Sequence, residues 1–232
     1  MELSKDLSII MPAYLEEENL RLLLPRIKSV ANELTNSSEI IVVDTEKPMD
    51  ATAKACQESG VTYVNRTGGN TYGAAIRTGI SVAQGKKIIF MDSDGSHYPE
   101  FIKKLYAQKD SADIIIASRY IEGGHTENSS ALVLMSKIVN WGYAFVLNIK
   151  CKDVSNSFKL YNGEMLKNIN LNCQNFDVVE EILYKLIKQT PSLEIKELPF
   201  SFKQRMFGET KRNLPQFVIT YIFTLIRLRF FN

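Results

Sequence analysis

Short apolar runs that alternate with amphipathic stretches constrain this chain more than any other feature. Residues 7–11 form a compact apolar run stopped by Pro12, and residues 40–43 form another that ends at Asp44. Runs of that length, apolar at nearly every position, suit strands buried on both faces. Between them Leu20, Leu23, Leu24, Ile27, Val30, Ala31 and Leu34 recur at helical spacing, and Glu16, Glu17 and Glu18 place negative charge at the helix start, where the dipole favours it. The unit then repeats, with helices expected over 49–59, 72–83 and about 98–108, and strands over 61–64, 88–91 and 114–117. The rhythm predicts an α/β fold, a mostly parallel sheet flanked by helices. Ligands in such sheets bind at the carboxyl ends of the strands, so the polar residues after each strand are the candidate site.

After Ser118 the rhythm changes. Residues 122–130 read as a loop, 131–147 as a long, largely apolar helix, 178–187 as a further helix and 193–200 as a strand. The last element, 214–231, is apolar nearly all round. Its apolar stretch, 217–231, would be about 22 Å long as a helix, short of a hydrocarbon core of roughly 30 Å. Arg227 and Arg229 interrupt it, and Lys211 and Arg212 precede it, which suits a helix lying on an anionic membrane surface. A core or dimer helix is the alternative. The expected division is therefore a catalytic domain over 1–212 and a C-terminal apolar helix over 213–232.

Charge and cysteines narrow the class. A net charge of +2 over 232 residues gives no basis for nucleic-acid binding. Cys56, Cys151 and Cys173 are odd in number, widely spaced and without a C-x-x-C pair, so neither a zinc site nor a disulfide framework is indicated. The polar start, running straight into a strand, predicts no signal peptide. A cytoplasmic active site is expected.

The chemistry centres on Asp92-Ser93-Asp94. Both carboxylates emerge directly after the strand over 88–91, in a turn with Gly95, and they repel each other unless a cation binds. A hard divalent ion taking diphosphate oxygens and water is the natural solution, although a capped turn ahead of Pro99 has the same composition. Other strand ends carry matching features. Pro12 to Asn19 brings an aromatic and carboxylates, Asp44 offers an acceptor for a nucleobase N–H or a ribose hydroxyl, and Gly68 to Ala75 is a small-residue loop opening a helix, whose N–H groups suit phosphate or sugar.

These segments resemble family 2 glycosyltransferases, and among them the polyprenyl-phosphate sugar synthases of the dolichol-phosphate mannose synthase type. The likeness covers nearly the whole chain. It is carried by Ile9-Ile10-Met11-Pro12-Ala13-Tyr14 with Glu16 and Asn19, by Ile40-Ile41-Val42-Val43-Asp44, and by Tyr72-Gly73-Ala74-Ala75-Ile76-Arg77-Thr78-Gly79. It continues through Met91-Asp92-Ser93-Asp94-Gly95-Ser96-His97-Tyr98-Pro99-Glu100, Ser118-Arg119-Tyr120, Asp153-Val154-Ser155-Asn156-Ser157-Phe158-Lys159-Leu160-Tyr161 and Arg205-Met206-Phe207-Gly208-Glu209-Thr210-Lys211.

The resemblance implies a GT-A type nucleotide-sugar-binding fold and a metal-dependent hexosyltransferase. The donor, of the GDP-mannose or UDP-glucose type, would meet Pro12, Tyr14, Glu16, Asp44, Gly73, Arg77, Asp92, Ser93 and Asp94. Mg2+ or Mn2+ would sit on Asp92, Asp94 and Ser96. Arg119, Ser136, Lys137, Arg205 and Lys211 would hold phosphates, those of a polyprenyl phosphate acceptor included, and Asp94, Arg119 and Asp153 would carry the catalytic roles. His97 reads as a structural histidine. The chain departs from the family pattern in three places: the D-D-G-S segment is Asp44-Thr45-Glu46-Lys47, a usual glycine is Ser157, and a usual basic residue is Leu132, with Lys137 as its substitute.

The expected reaction is inverting transfer of the hexose to the lipid phosphate, by an enzyme attached peripherally to the cytoplasmic face of a membrane. A partner membrane protein is compatible with that setting. Two rival readings are a family 2 transferase acting on a polysaccharide or protein hydroxyl, and a nucleotide-sugar-binding protein of reduced activity. No G-x-G-x-x-G follows the first strand, which argues against a dinucleotide oxidoreductase.

Overall fold

The computed structural model describes residues 3–208 and 214–231, the latter with side chains from residue 219 onward. The first half follows the expected alternation: β1 Lys5–Pro12, α1 Glu17–Leu34, β2 Ser38–Asp44, α2 Thr52–Ser59, β3 Thr62–Asn65, α3 Tyr72–Val82, β4 Gly85–Phe90, α4 Phe101–Ala107 and β5 Ile114–Ser118. The second half holds β6 His125–Thr126, α5 Ser130–Leu147, β7 Lys159–Asn162, α6 Gly163–Lys167, α7 Val178–Gln189, β8 Ile195–Pro199, β9 Ser201–Phe202 and α8 Leu214–Phe230. Among the described residues, seven strands form the main sheet in the order β3-β2-β1-β4-β7-β5-β8, and β6 pairs with β9 separately.

Strand alternation sends neighbouring side chains to opposite faces. Leu7, Ile9 and Met11 of β1 pack with Leu20, Leu23, Leu24 and Ile27 of α1 and with Phe101, Ile102 and Leu105 of α4. Ile10 faces the other way, into a core with Ala75, Ile76 and Ile80 of α3, Ile182 and Leu183 of α7, and Tyr143 and Leu147 of α5. Each fully buried Leu or Ile contributes roughly 1.5–3 kcal/mol, so the two covered faces explain why these strands read as unbroken apolar runs.

The register lines up one edge. Pro12 lies opposite Val43, Asp44 opposite Asn65, and Ile10 opposite Phe90, so the ends of β1, β2, β3 and β4 finish together. Strand β7 is antiparallel to both neighbours, with Lys159 opposite Phe90 and Ile116. Its antiparallel sense matters, because the residues that precede β7 then reach the same edge as those that follow β4 and β5.

Strand β7 has no counterpart among the strands expected from the apolar runs. It is four residues long and begins on a lysine. Lys159 is nevertheless buried, and its ammonium donates to the carbonyls of Val154 (2.9 Å) and Asn156. It thus ties the 153–157 loop to the strand below. Helices α2 and α4 begin three residues later than expected, since residues 49–51 and 98–100 are spent on turns, as in the Phe101 N–H to Tyr98 carbonyl bond of 3.2 Å.

Helix α8 shows a buried stripe, Tyr221, Thr224 and Leu228, against the domain. The Tyr143 hydroxyl donates to the Tyr221 carbonyl (2.7 Å), Thr224 donates to Asp177, and Arg227 reaches Cys173 Sγ (2.8 Å) and lies 3.8 Å from Glu181. Arg227, expected among lipid headgroups, therefore turns toward α7. The outward side remains apolar: Ile222, Phe223, Ile226 and Phe230 are exposed, as are Leu134, Ile138, Trp141 and Phe145 on the adjoining α5.

Candidate active site

The turn after β4 is built around its two carboxylates. The Asp92 N–H donates to His97 Nδ1 (3.0 Å), and Asp92 Oδ1 accepts from the Tyr72 hydroxyl (3.2 Å) and the Ser157 hydroxyl (3.0 Å). Asp94 Oδ1 accepts from both the Ser96 N–H (3.0 Å) and its hydroxyl (2.6 Å), closing the turn as an Asx motif does. Ser93 donates to the Pro12 carbonyl (2.9 Å), which couples the turn to the end of β1. Because His97 Nδ1 accepts from a backbone N–H, its proton sits on Nε2, which faces Asn156 Oδ1 at 3.2 Å. Burial, with Phe158 stacked at 4.7 Å, pushes the His97 pKa below its ordinary value and keeps the ring neutral.

Each carboxylate thus commits one oxygen to the protein. Among the described residues no donor lies within hydrogen-bond distance of the other, and no group of three or more His, Cys, Asp or Glu gathers to cage an ion. Two open carboxylate oxygens fit a hard divalent cation that completes its shell with diphosphate oxygens and water. Asp92 and Asp94 would hold it, with Ser96 alongside.

Several residues expected to meet a donor, Pro12, Tyr14, Glu16 and Asp44, lie at or just beyond the ends of β1 and β2, beside the end of β3. Asp44 is buried, and burial raises its pKa although the Tyr63 hydroxyl donates to Oδ2 (3.0 Å). Tyr63 itself is pushed up to about 12 by burial and by that carboxylate. Arg66, which the sequence reading did not single out, braces the strand ends: it donates to the carbonyls of Asp44 (2.9 Å), Thr71 (3.1 Å), Val43 (3.3 Å) and Ala13. A basic residue directly after β3 was the available signal. Tyr14 is half-buried, and Glu16 accepts from Asn19 Nδ2 (2.6 Å) and from Arg205.

Two residues assigned to the donor face a different neighbour. The Gly73 N–H donates to the Gln174 carbonyl (2.7 Å), and Arg77 donates to the Cys173 carbonyl (2.6 Å) and Gln174 Oε1 (2.9 Å). The segment before α7 is thereby pinned to the start of α3. A Cβ at Gly73 would lie 2.2 Å from the Cys173 carbonyl oxygen, a backbone atom that cannot step aside. Gly73→Ala is accordingly expected to destabilise the fold by about 1–3 kcal/mol through overpacking, seen as a lowered midpoint in urea unfolding. An unchanged midpoint would contradict this packing.

On the other side stands Arg119, at the end of β5. Its Nε and backbone N–H both donate to Asp153 Oδ2 (2.8 Å each), and Nη2 donates to Asp153 Oδ1 (2.7 Å) and to Ser155 Oγ (3.0 Å). Burial opposes ionisation of Asp153, but Arg119 outweighs it and holds the carboxyl below its ordinary range. Ser136 joins through Asn140, whose amide donates to the Ser136 carbonyl (2.8 Å) and to Ser155 Oγ (3.0 Å). Lys137 Nζ lies 5.9 Å from the centre of the Tyr120 ring, and the Arg119 guanidinium lies 5.0 Å from it. Arg119, Ser136, Lys137 and Asp153 are therefore brought together. Arg205 lies elsewhere, bonded to Glu16 and to the Phe207 carbonyl (2.7 Å), on a segment that crosses the Asp94 turn through the Met206 N–H to Asp94 carbonyl bond of 2.8 Å. Lys211 falls outside the described residues.

Comparison with known proteins agrees with this fold. The model of glycosyl transferase family 2 matches residues 8–169. Dolichol-phosphate mannosyltransferase of Pyrococcus furiosus is 34% identical over 215 residues, covering 88% of this chain and 58% of that protein, so the chain spans little more than half the length of that relative. Polyprenol monophosphomannose synthase of Mycolicibacterium smegmatis is 29% identical, over 88% of this chain and 79% of its own. Among solved structures, glucosyl-3-phosphoglycerate synthase from Mycobacterium tuberculosis, in complex with Mn2+, uridine-diphosphate-glucose and phosphoglyceric acid, superposes with a TM-score of 0.75 at 15% identity, over 97% of this chain and 80% of that one. That likeness is one of fold, the mostly parallel α/β sheet of the GT-A type. With the family model spanning six of the seven strands of the main sheet and both halves of the site, the chain belongs to glycosyl transferase family 2.

Proposed function

We propose that this glycosyltransferase moves a hexose from a nucleotide sugar to a polyprenyl phosphate, with inversion, at the cytoplasmic face of a membrane. One observation carries the reading: the 153–157 loop touches both halves of the site. Ser157 donates to Asp92, while Asp153 and Ser155 hold Arg119. Open carboxylate oxygens thus stand on one side and a guanidinium beside a lysine on the other, an arrangement suited to a metal-bound diphosphate facing an acceptor phosphate. The names of the relatives from Pyrococcus and Mycolicibacterium support the same acceptor class.

In the reaction an acceptor phosphate oxygen forms a bond to the anomeric carbon while the bond from that carbon to the nucleoside diphosphate breaks. A divalent ion at Asp92 and Asp94 would neutralise charge on the leaving diphosphate. Arg119 orients the acceptor phosphate, and Asp153 fixes Arg119. The acceptor is already anionic at neutral pH, so no proton has to be removed. A sugar hydroxyl would require a base, and Asp153, with both oxygens bonded and its pKa depressed, is poorly suited to that task. This favours the phosphate acceptor over a polysaccharide or protein hydroxyl.

The lipid would reach this pocket along the apolar side of α5 and α8, where Trp141 is 69% and Phe145 74% exposed, their rings stacked at 5.5 Å. Helix α5 is long and apolar enough to cross a membrane. Its buried Asn140, Tyr143 and Leu147, with Asn140 bonded into the site, instead suit a helix lying along the leaflet surface.

The test is to incubate the protein with polyprenyl phosphate in anionic vesicles, Mg2+ or Mn2+, and GDP-mannose or UDP-glucose, analysing the lipid by mass. A hexosyl-phosphoryl lipid formed one-for-one with released nucleoside diphosphate is expected. Trp141→Glu with Phe145→Glu should cut vesicle pelleting and product by about tenfold, while use of a short, detergent-dispersed acceptor persists. Transfer to a soluble glycan with no lipid product would refute the acceptor assignment.

A further inference from the structure

Asp92 is held more firmly than its role as a ligand requires. Its backbone is fixed by His97 Nδ1 at 3.0 Å, and its Oδ1 is met by two hydroxyls from separate parts of the chain. Tyr72 is the first residue of α3, and its ring stacks on Phe176 with centroids 4.5 Å apart. Ser157 comes from the loop before β7, 85 residues further along the chain.

We infer that Tyr72 and Ser157 are positioning residues that turn Asp92 into a one-oxygen ligand, with Oδ1 bound to the two hydroxyls and Oδ2 presented to the cation and diphosphate. The inference rests on the metal-and-diphosphate reading proposed above. A hydroxyl has one proton to give, and both hydroxyls spend it on the same oxygen. Oδ1 is therefore satisfied within the protein, and rotation of the carboxylate would break two hydrogen bonds. A small divalent ion with near-octahedral demands keeps several waters and phosphate oxygens. A bidentate Asp92 would take a position that the diphosphate needs, and the hydroxyl pair prevents it. Interactions of this kind around a ligand typically change metal affinity by about 10–100-fold when removed.

The experiment is a Mn2+ titration followed by electron paramagnetic resonance, in the presence of UDP or GDP, on the full chain and its variants. Tyr72→Phe keeps the ring on Phe176, and Ser157→Ala removes only a hydroxyl, so both should fold with melting temperatures near that of the parent. Each is expected to raise the Mn2+ dissociation constant several-fold and the double variant by about 10–100-fold, with Ser157→Thr recovering most of the loss at that position. A double variant that binds Mn2+ within about twofold of the parent would overturn the inference while leaving the metal site intact. If the parent itself binds Mn2+ no better than Asp94→Asn does, the metal-site reading fails, and the inference with it.

Discussion

Asp94→Asn is expected to lower kcat/KM for the donor by roughly a thousandfold with little change in stability. The asparagine keeps the oxygen that accepts from the Ser96 N–H and hydroxyl, so the turn after β4 retains its internal bonds. What it loses is the charge and the second, open oxygen. Metal-assisted charge neutralisation is worth several kcal/mol in a transition state. At about 1.4 kcal/mol per factor of ten, losing most of it costs two to three orders of magnitude. Release of nucleoside diphosphate under single-turnover conditions gives the measurement, with the melting temperature as control. Activity within about tenfold of the parent would mean that Asp94 serves only as a capping residue, the other role this composition permits.

Why the turn was legible while part of its support was not follows from how each is encoded. Asp92 and Asp94 sit beside one another in sequence, directly after an apolar run, so the strand end and its chemistry are local. The residues that aim them are not. Tyr72 and Ser157 are 85 positions apart in the chain and meet at Asp92 only because β7 runs antiparallel between β4 and β5. A four-residue strand starting on lysine has no periodicity to show itself, and the burial of Lys159 is decided by the loop carbonyls it binds. The same holds for Arg66. Its position after β3 was visible, but its bonds to Ala13, Val43, Asp44 and Thr71 depend on three strand ends finishing together. Long periodic elements were readable within a few residues, because their burial pattern is their sequence pattern. The long helix α5 was found in this way, whereas the side it turns outward, with Trp141 and Phe145, depends on Asn140 being drawn into the site.

Asp153→Ala is expected to cost about 3–5 kcal/mol of unfolding free energy, because it leaves a buried guanidinium without its counter-ion. The side chains of Arg119 and Asp153 are 9% and 0% exposed. Four donors lose their acceptor: the Arg119 backbone N–H, its Nε and Nη2, and the Asn156 N–H. The pH dependence has a definite sign. Arg119 depresses the Asp153 pKa below its ordinary 3.8, so the contribution is fully present above that value and is lost as pH falls through the lower folded pKa. Parent and variant should therefore differ by a constant amount from pH 5 to 8 and converge only in stronger acid. A difference that faded near neutrality would mean that Asp153 titrates there, as a general base would. Replacing both partners, Arg119→Met with Asp153→Leu, separates stability from function. An apolar pair of similar volume is often neutral relative to a buried ion pair, so the double variant should regain most of the unfolding free energy. Under the proposed reaction it should remain unable to transfer sugar to the lipid phosphate, since the guanidinium assigned to meet it is gone. A double variant that recovers activity together with stability would show that Arg119 braces the fold and does not touch the acceptor.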